Sequence, residues 1–138
     1  MDNGVPTKVL VIDDDKTMSE MLKLVLEPLS FEVFEASTGP DGIEATKRLK
    51  PEVIILDLLM PDMDGWEVTK AIRAFSQVPI LVLSAVSKPE LVAKALDEGA
   101  DDYLIKPMPN SVLVAHLKRL ARRARAEESS SGKLSIQA

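Results

Sequence analysis

Short runs of almost unbroken apolar residues alternate along this chain with longer stretches in which apolar positions recur every three or four residues. The runs are Val9-Leu10-Val11-Ile12 (after Lys8), Val53-Ile54-Ile55-Leu56, Ile80-Leu81-Val82-Leu83 and the shorter Tyr103-Leu104-Ile105. Runs of this length predict strands, and Val53-Ile54-Ile55-Leu56, rich in β-branched residues, predicts one buried on both faces. Phe31-Glu32-Val33-Phe34-Glu35 alternates instead, which predicts a half-exposed, edge-like strand. The intervening stretches predict helices. The first carries Met18, Met21, Leu22, Val25 and Leu29, with Pro28 near its end. The second carries Ile43, Thr46, Lys47 and Leu49 and is stopped by Pro51. The third runs through Val68, Ala71, Ile72 and Phe75, and the fourth through Leu91, Val92, Ala95 and Leu96 up to Gly99. The last carries Leu113, His116, Leu117, Leu120 and Ala124 on one face. Thr38 is a candidate cap for the second helix, and Asp64/Glu67 and Ser87/Glu90 have capping-box spacing at the third and fourth.

Strand and helix thus alternate five times. That order predicts an α/β, doubly wound domain: a five-stranded parallel sheet, covered by helices on both faces and joined by right-handed crossovers, with strand order 2-1-3-4-5. The length of 138 residues allows one domain with a real core. We divide it into an N-terminal arm (1–6), the domain (7–126) and a Ser-rich polar tail or linker (127–138) expected to fray. With 46% hydrophobic residues and few aromatics, aliphatic side chains must fill the core. The absence of cysteine excludes disulfides, thiolate metal sites and a cysteine nucleophile. No apolar run approaches membrane-spanning length and the first residues lack signal-peptide character, so a cytoplasmic location is expected, with no membrane association. A net charge of −5 argues against bulk attraction to nucleic acid.

Chemistry concentrates where the strands end. Asp57 breaks the third apolar run and is followed by Met60-Pro61-Asp62-Met63-Asp64-Gly65, which is loop chemistry. The plainer reading of one such acid is a carboxylate that hydrogen-bonds its own loop. Here the first run also ends in Asp13-Asp14-Asp15, the fourth at Ser84 and the fifth at Lys106. In open α/β sheets the ligand crevice lies beyond the carboxyl ends of the strands, where strand order reverses. Asp13 and Asp14 would therefore face Asp57, with Ser84 and Lys106 alongside. Clustered carboxylates raise one another's pKa unless a cation relieves them. Oxygen donors with no cysteine and a single histidine, His116, suit Mg²⁺, or alternatively Mn²⁺, far better than zinc. A carboxylate beside a hard cation, an ammonium and a hydroxyl suits phosphoryl transfer, with Asp57 attacking in line.

Four stretches, Val9-Leu10-Val11-Ile12-Asp13-Asp14-Asp15, Leu56-Asp57 through Asp64-Gly65, Val82-Leu83-Ser84-Ala85 and Gly99-Ala100-Asp101-Asp102-Tyr103-Leu104-Ile105-Lys106-Pro107, together resemble a response-regulator receiver domain, over roughly residues 7–125. The resemblance implies a flavodoxin-like fold and a phosphoacceptor, Asp57, that is phosphorylated by a sensor histidine kinase or phosphotransfer protein. It implies that Asp13 and Asp14 hold Mg²⁺, with Asp14, Asp57 and the backbone carbonyl of Leu59 as direct ligands. Lys106 would contact the phosphoryl group, Ser84 would be the switch hydroxyl and Tyr103 the switch aromatic. A cis bond is implied at Lys106-Pro107. Output would pass through the face made by helix four, strand five and helix five to an output domain, a protein partner or a second copy. Such a protein catalyses only its own phosphorylation and dephosphorylation.

Some positions depart from the pattern or stay open. Leu59 and Val86, which tune water access in the family, are apolar here, so slow autodephosphorylation is expected. Val112 and His116 stand where dimerising receivers usually place an acid and an arginine. His116 reads as a packing or interface residue. Lys118, Arg119, Arg122, Arg123 and Arg125 read as a solvated helix face. Trp66 and the six methionines read as core or rim. Two alternatives remain. Asp13-Asp14-Asp15-Lys16-Thr17 resembles the nucleophile loop of haloacid-dehalogenase-like phosphatases, although the lysine then comes in the wrong order. A docking scaffold without phosphorylation would leave the complete acid set unexplained.

Overall fold

The structure, a computed structural model, describes residues 4–137. The elements run β1 (Thr7–Ile12), α1 (Lys16–Leu26), a 3₁₀ turn (Glu27–Leu29), β2 (Phe31–Ala36), α2 (Gly39–Leu49), β3 (Val53–Leu56), α3 (Gly65–Arg73), β4 (Ile80–Ser84), α4 (Pro89–Asp97), β5 (Asp102–Ile105) and α5 (Asn110–Gln137). All strands pair in parallel in the order β2-β1-β3-β4-β5, the order expected from the sequence. Residues 1–3 of the expected arm and Ala138 of the expected tail lie outside the described residues. Helical backbone continues to Gln137, through the segment whose composition suggested a tail.

The apolar strands are apolar on both sides because each side meets a helical layer. Leu10, Ile12, Ile54, Leu56, Ile80 and Val82 pack with Ala45, Val68, Ile72 and Ala95 of α2, α3 and α4. The alternate residues Val9, Val11, Val53, Ile55, Leu81 and Leu83 pack with Leu22 and Leu26 of α1 and Leu113, Leu117 and Leu120 of α5. Of the two edge strands, β2 alternates between buried and exposed positions, while β5 has no fully buried residue and ends on exposed Ile105. Among the described residues, no helix is long and apolar enough to cross a membrane.

Local expectations held at two caps. Thr38 accepts from the Asp41 N–H at 3.1 Å, and Asp64 and Glu67 form the reciprocal box, at 2.9 and 3.1 Å. Three others, the Ser87/Glu90 box, the buried stripe of α1 and the end of α3, need correction. The Ser87/Glu90 box does not form: Pro89 occupies the first helical position, so Lys88 becomes the cap, without a side-chain hydrogen bond, and Glu90 falls one place short. α1 starts two residues before Met18, because Asp15 caps it by accepting from the N–H groups of Thr17 and Met18. Its buried stripe is Ser19, Leu22 and Leu26, while Met21 and Leu29 are exposed. α3 ends at Arg73, ahead of Phe75.

Candidate functional site

The register of the sheet lines up the strand ends: Ile12 pairs with Leu56, Leu56 with Val82, and Ser84 with Ile105. The ladders then continue just past the strands. The N–H of Asp13 donates to the Ala36 carbonyl at 3.1 Å, that of Asp57 to Ile12 at 3.0 Å, and that of Lys106 to Ser84 at 2.9 Å. The chemically active side chains thus leave from backbone held by neighbouring strands, which limits their freedom more than a loop would. The peptide bond between Lys106 and Pro107 is cis.

Asp13, Asp14 and Asp57 converge, each offering an oxygen within 4.8 Å of the others. Asp13 and Asp57 are buried and Asp14 is exposed. The Lys106 ammonium lies 3.3 Å from Asp13 Oδ2 and 3.5 Å from Asp57 Oδ2. The other oxygen of Asp57 accepts from the Leu59 N–H at 3.2 Å. Asp57 therefore does tie its own loop, as the plainer reading held, and faces the cluster as well. Burial pushes the Asp13 carboxyl above its ordinary value, with the Asp57 charge adding to this and the Asp15 N–H and Lys106 opposing it. These three converging carboxylates, with one lysine among them, form a set of hard oxygen donors that could hold a divalent metal.

The raised Asp13 value has a consequence for stability. The folded protein binds the Asp13 proton more tightly than the unfolded chain does. The stability so gained is complete below the unfolded pKa near 3.8 and is lost as pH rises through the higher folded value. At neutral pH without divalent metal, Asp13→Asn should therefore stabilise the protein. Urea unfolding in EDTA is the check. The gain should shrink as the pH is lowered toward 4; a loss of stability at pH 7 would contradict it.

Ser84 is fully buried, and its Oγ accepts from the Val86 N–H at 3.3 Å. The Tyr103 hydroxyl donates to the Val86 carbonyl at 2.6 Å. Val86 was singled out in the sequence for its apolar side chain, yet its backbone is what joins Ser84 to Tyr103. Residue type carries no signal of such a role. Burial raises the Tyr103 pKa, the Ser84 hydroxyl opposes this and the Asp57 charge adds to it. Three further contacts hold α4 and the loop that follows it to α3. The Trp66 indole N–H donates to the Leu91 carbonyl at 3.1 Å, and Arg73 reaches the Gly99 carbonyl at 3.0 Å and Asp101 at 2.7 Å. His116 lies away from the carboxylate cluster: its Nδ1 meets Asp102, which also accepts from Arg119 at 2.7 Å.

This sheet, with its acidic strand ends and its lysine, defines a class. The family model of the response regulator receiver domain matches residues 9–118, and the chain belongs to that family. DNA-binding response regulator MtrA of Mycobacterium tuberculosis is 38% identical over 116 residues, covering 84% of this chain and 51% of MtrA. Transcriptional regulatory protein PrrA of Mycobacterium leprae is 43% identical over 136 residues, covering 95% of this chain and 57% of PrrA. The chain thus spans about half the length of the curated relatives it matches. A solved two-component response regulator from Clostridium difficile superposes with a TM-score of 0.82 at 34% identity, covering 85% of this chain and 97% of that one. Receiver membership decides against the haloacid-dehalogenase-like alternative.

Proposed function

We propose that residues 7–126 act as a phosphorylation switch in the cytoplasm, with Asp57 as the acceptor. An Asp57 carboxylate oxygen attacks the phosphorus of a phosphohistidine on a sensor kinase or phosphotransfer protein. The new O–P bond forms as the P–N bond breaks, and the electron pair leaves with the imidazole. Lys106 offsets charge on the phosphoryl oxygens, and the Ser84 hydroxyl donates to one of them. Mg²⁺, or alternatively Mn²⁺, fits the all-oxygen donor set of Asp14, Asp57 and the Leu59 carbonyl with Asp13 alongside, and when bound it neutralises charge on the transferring group. The observation that carries this reading is one ammonium within reach of both Asp13 and Asp57 at adjoining strand ends.

Drawing Ser84 toward a phosphoryl group alters its bond to the Val86 N–H, and the Val86 carbonyl holds Tyr103. The switch therefore reaches the α4–β5–α5 face, where an output domain, a protein partner or a second copy reads it. We assign neither nucleic-acid contact nor turnover catalysis to this domain. The test is intact mass after incubation with acetyl phosphate. One phosphoryl adduct is expected with Mg²⁺ and none in EDTA; no adduct with Mg²⁺, or one indifferent to EDTA, overturns the reading.

The exposed side chain of Leu59, next to the acceptor, offers no group to orient water. Leu59→Asn is expected to shorten the lifetime of the adduct severalfold, read as its decay after acetyl phosphate is removed. An unchanged lifetime would show that Leu59 only packs.

A further inference from the structure

The basic run on α5 is largely exposed, as expected, but three of its cations have acidic partners in the same chain: Arg119 pairs with Asp102, Arg123 with Asp101, and Arg125 with Glu52. The last pair is fixed from both sides. Burial alone would raise the Glu52 carboxyl, but Arg125 and the Lys8 N–H outweigh it and hold it below its ordinary value. The remaining two, Lys118 and Arg122, are exposed, and among the described residues neither has an ion pair or side-chain hydrogen bond. They stand one helical turn apart, on the same side of α5.

Both line a cavity of about 730 Å³, within the size range of ligand clefts. Its apolar wall is Leu29, Phe31 and Ala121, and no carboxylate is among the described residues that line it. That charge balance is unusual for a chain with 22 acids and 17 Lys and Arg residues. The cavity opens beside Thr7 and Phe31, the first residues of β1 and β2, whereas Asp13 follows the far end of β1. Six strand residues separate the two ends by roughly 20 Å. An occupant here would leave the carboxylate cluster open.

We propose that this groove binds an acidic, amphipathic segment of a partner protein, with carboxylates on Lys118 and Arg122 and an apolar side chain against exposed Leu29. The same observations weigh against other polyanions. Nucleic acid would need exposed aromatic faces for its bases, and the one aromatic among the described lining residues, Phe31, is buried and offers none. A lipid surface needs protruding apolar groups, whereas this surface is concave.

The test uses the full 138-residue chain and amide NMR shifts. The probes are a short helical peptide of glutamate and leucine, its glutamine-for-glutamate counterpart, single-stranded DNA, and phosphatidylglycerol vesicles. The glutamate peptide is expected to shift the amides around Ser30, Phe31, Lys118 and Arg122 saturably. Affinity should fall roughly tenfold or more for the glutamine peptide and for the Lys118→Gln/Arg122→Gln variant, which corresponds to about 1.4 kcal/mol. Both substitutions are at exposed positions, so an unchanged urea midpoint confirms that the variant is folded. Asp57→Asn should bind the peptide as the wild type does, which separates this proposal from the acceptor reading. Equal binding of the two peptides, shifts confined to other faces, no saturable shift at millimolar peptide, or tighter binding of DNA or vesicles overturns it.

Discussion

Asp57→Asn is expected to take up no phosphoryl group from acetyl phosphate under conditions in which the wild type forms one adduct. The amide lacks the anionic oxygen that attacks phosphorus. It keeps a carbonyl oxygen that can still accept from the Leu59 N–H, now at 3.2 Å, so the loop should keep its shape. Loss of the adduct would therefore report chemistry and not misfolding, and an unchanged urea transition would establish that. Asp13→Asn is the informative companion. Asp13 contacts Lys106 and lies beside the other two acids without being the acceptor in this reading. Its replacement should leave an adduct on Asp57 but raise the Mg²⁺ concentration needed, by roughly 10–100-fold. The reverse pattern, an adduct on Asp57→Asn and none on Asp13→Asn, would make Asp13 the nucleophile and overturn the assignment.

Much of this site was legible because apolar runs buried on both faces end abruptly. Where Val9–Ile12 and Val53–Leu56 stop, the next residue stands at the crevice edge, so Asp13 and Asp57 could be placed together before any contact was known. The sheet order followed from the five strand–helix repeats, and the alternating polarity of β2 marked it as edge-like. Features set by backbone direction or by packing phase were not legible. The fourth helix begins where Pro89 permits, which moves Glu90 out of the capping position. Periodicity located α1 but missed its phase, since exposed Met21 and buried Leu22 are equally apolar. The basic run on α5 looked uniform because its partners, Glu52, Asp101 and Asp102, come from distant stretches of the chain. Gly65 likewise read as turn punctuation, and its packing was invisible.

Gly65→Ala should destabilise the protein by about 3 kcal/mol, although helix propensity alone points the other way. Gly65 is the first residue of α3, and alanine is favoured over glycine inside a helix by about 1 kcal/mol. A Cβ at this position, however, would lie 2.5 Å from the Asp57 carbonyl oxygen and 2.7 Å from Leu58 Cα. These are backbone atoms. The Leu58 carbonyl accepts from the Gly65 N–H at 3.0 Å and the Asp57 N–H is held by β1, so neither residue can simply turn aside as a side-chain tip would. Overpacking of this kind costs about 1–3 kcal/mol and occasionally more, and two backbone clashes put Gly65 at the upper end. The strain acts directly on the residue that carries the acceptor. A displacement of Asp57 on the order of 1 Å could slow phosphoryl uptake roughly 100-fold. Urea unfolding and adduct formation at a temperature where the variant stays folded should therefore both suffer. A stability equal to or above the wild type would mean that the Asp57–Gly65 loop is slack. In that case the close approach of α3 to the acceptor strand would not be what positions Asp57.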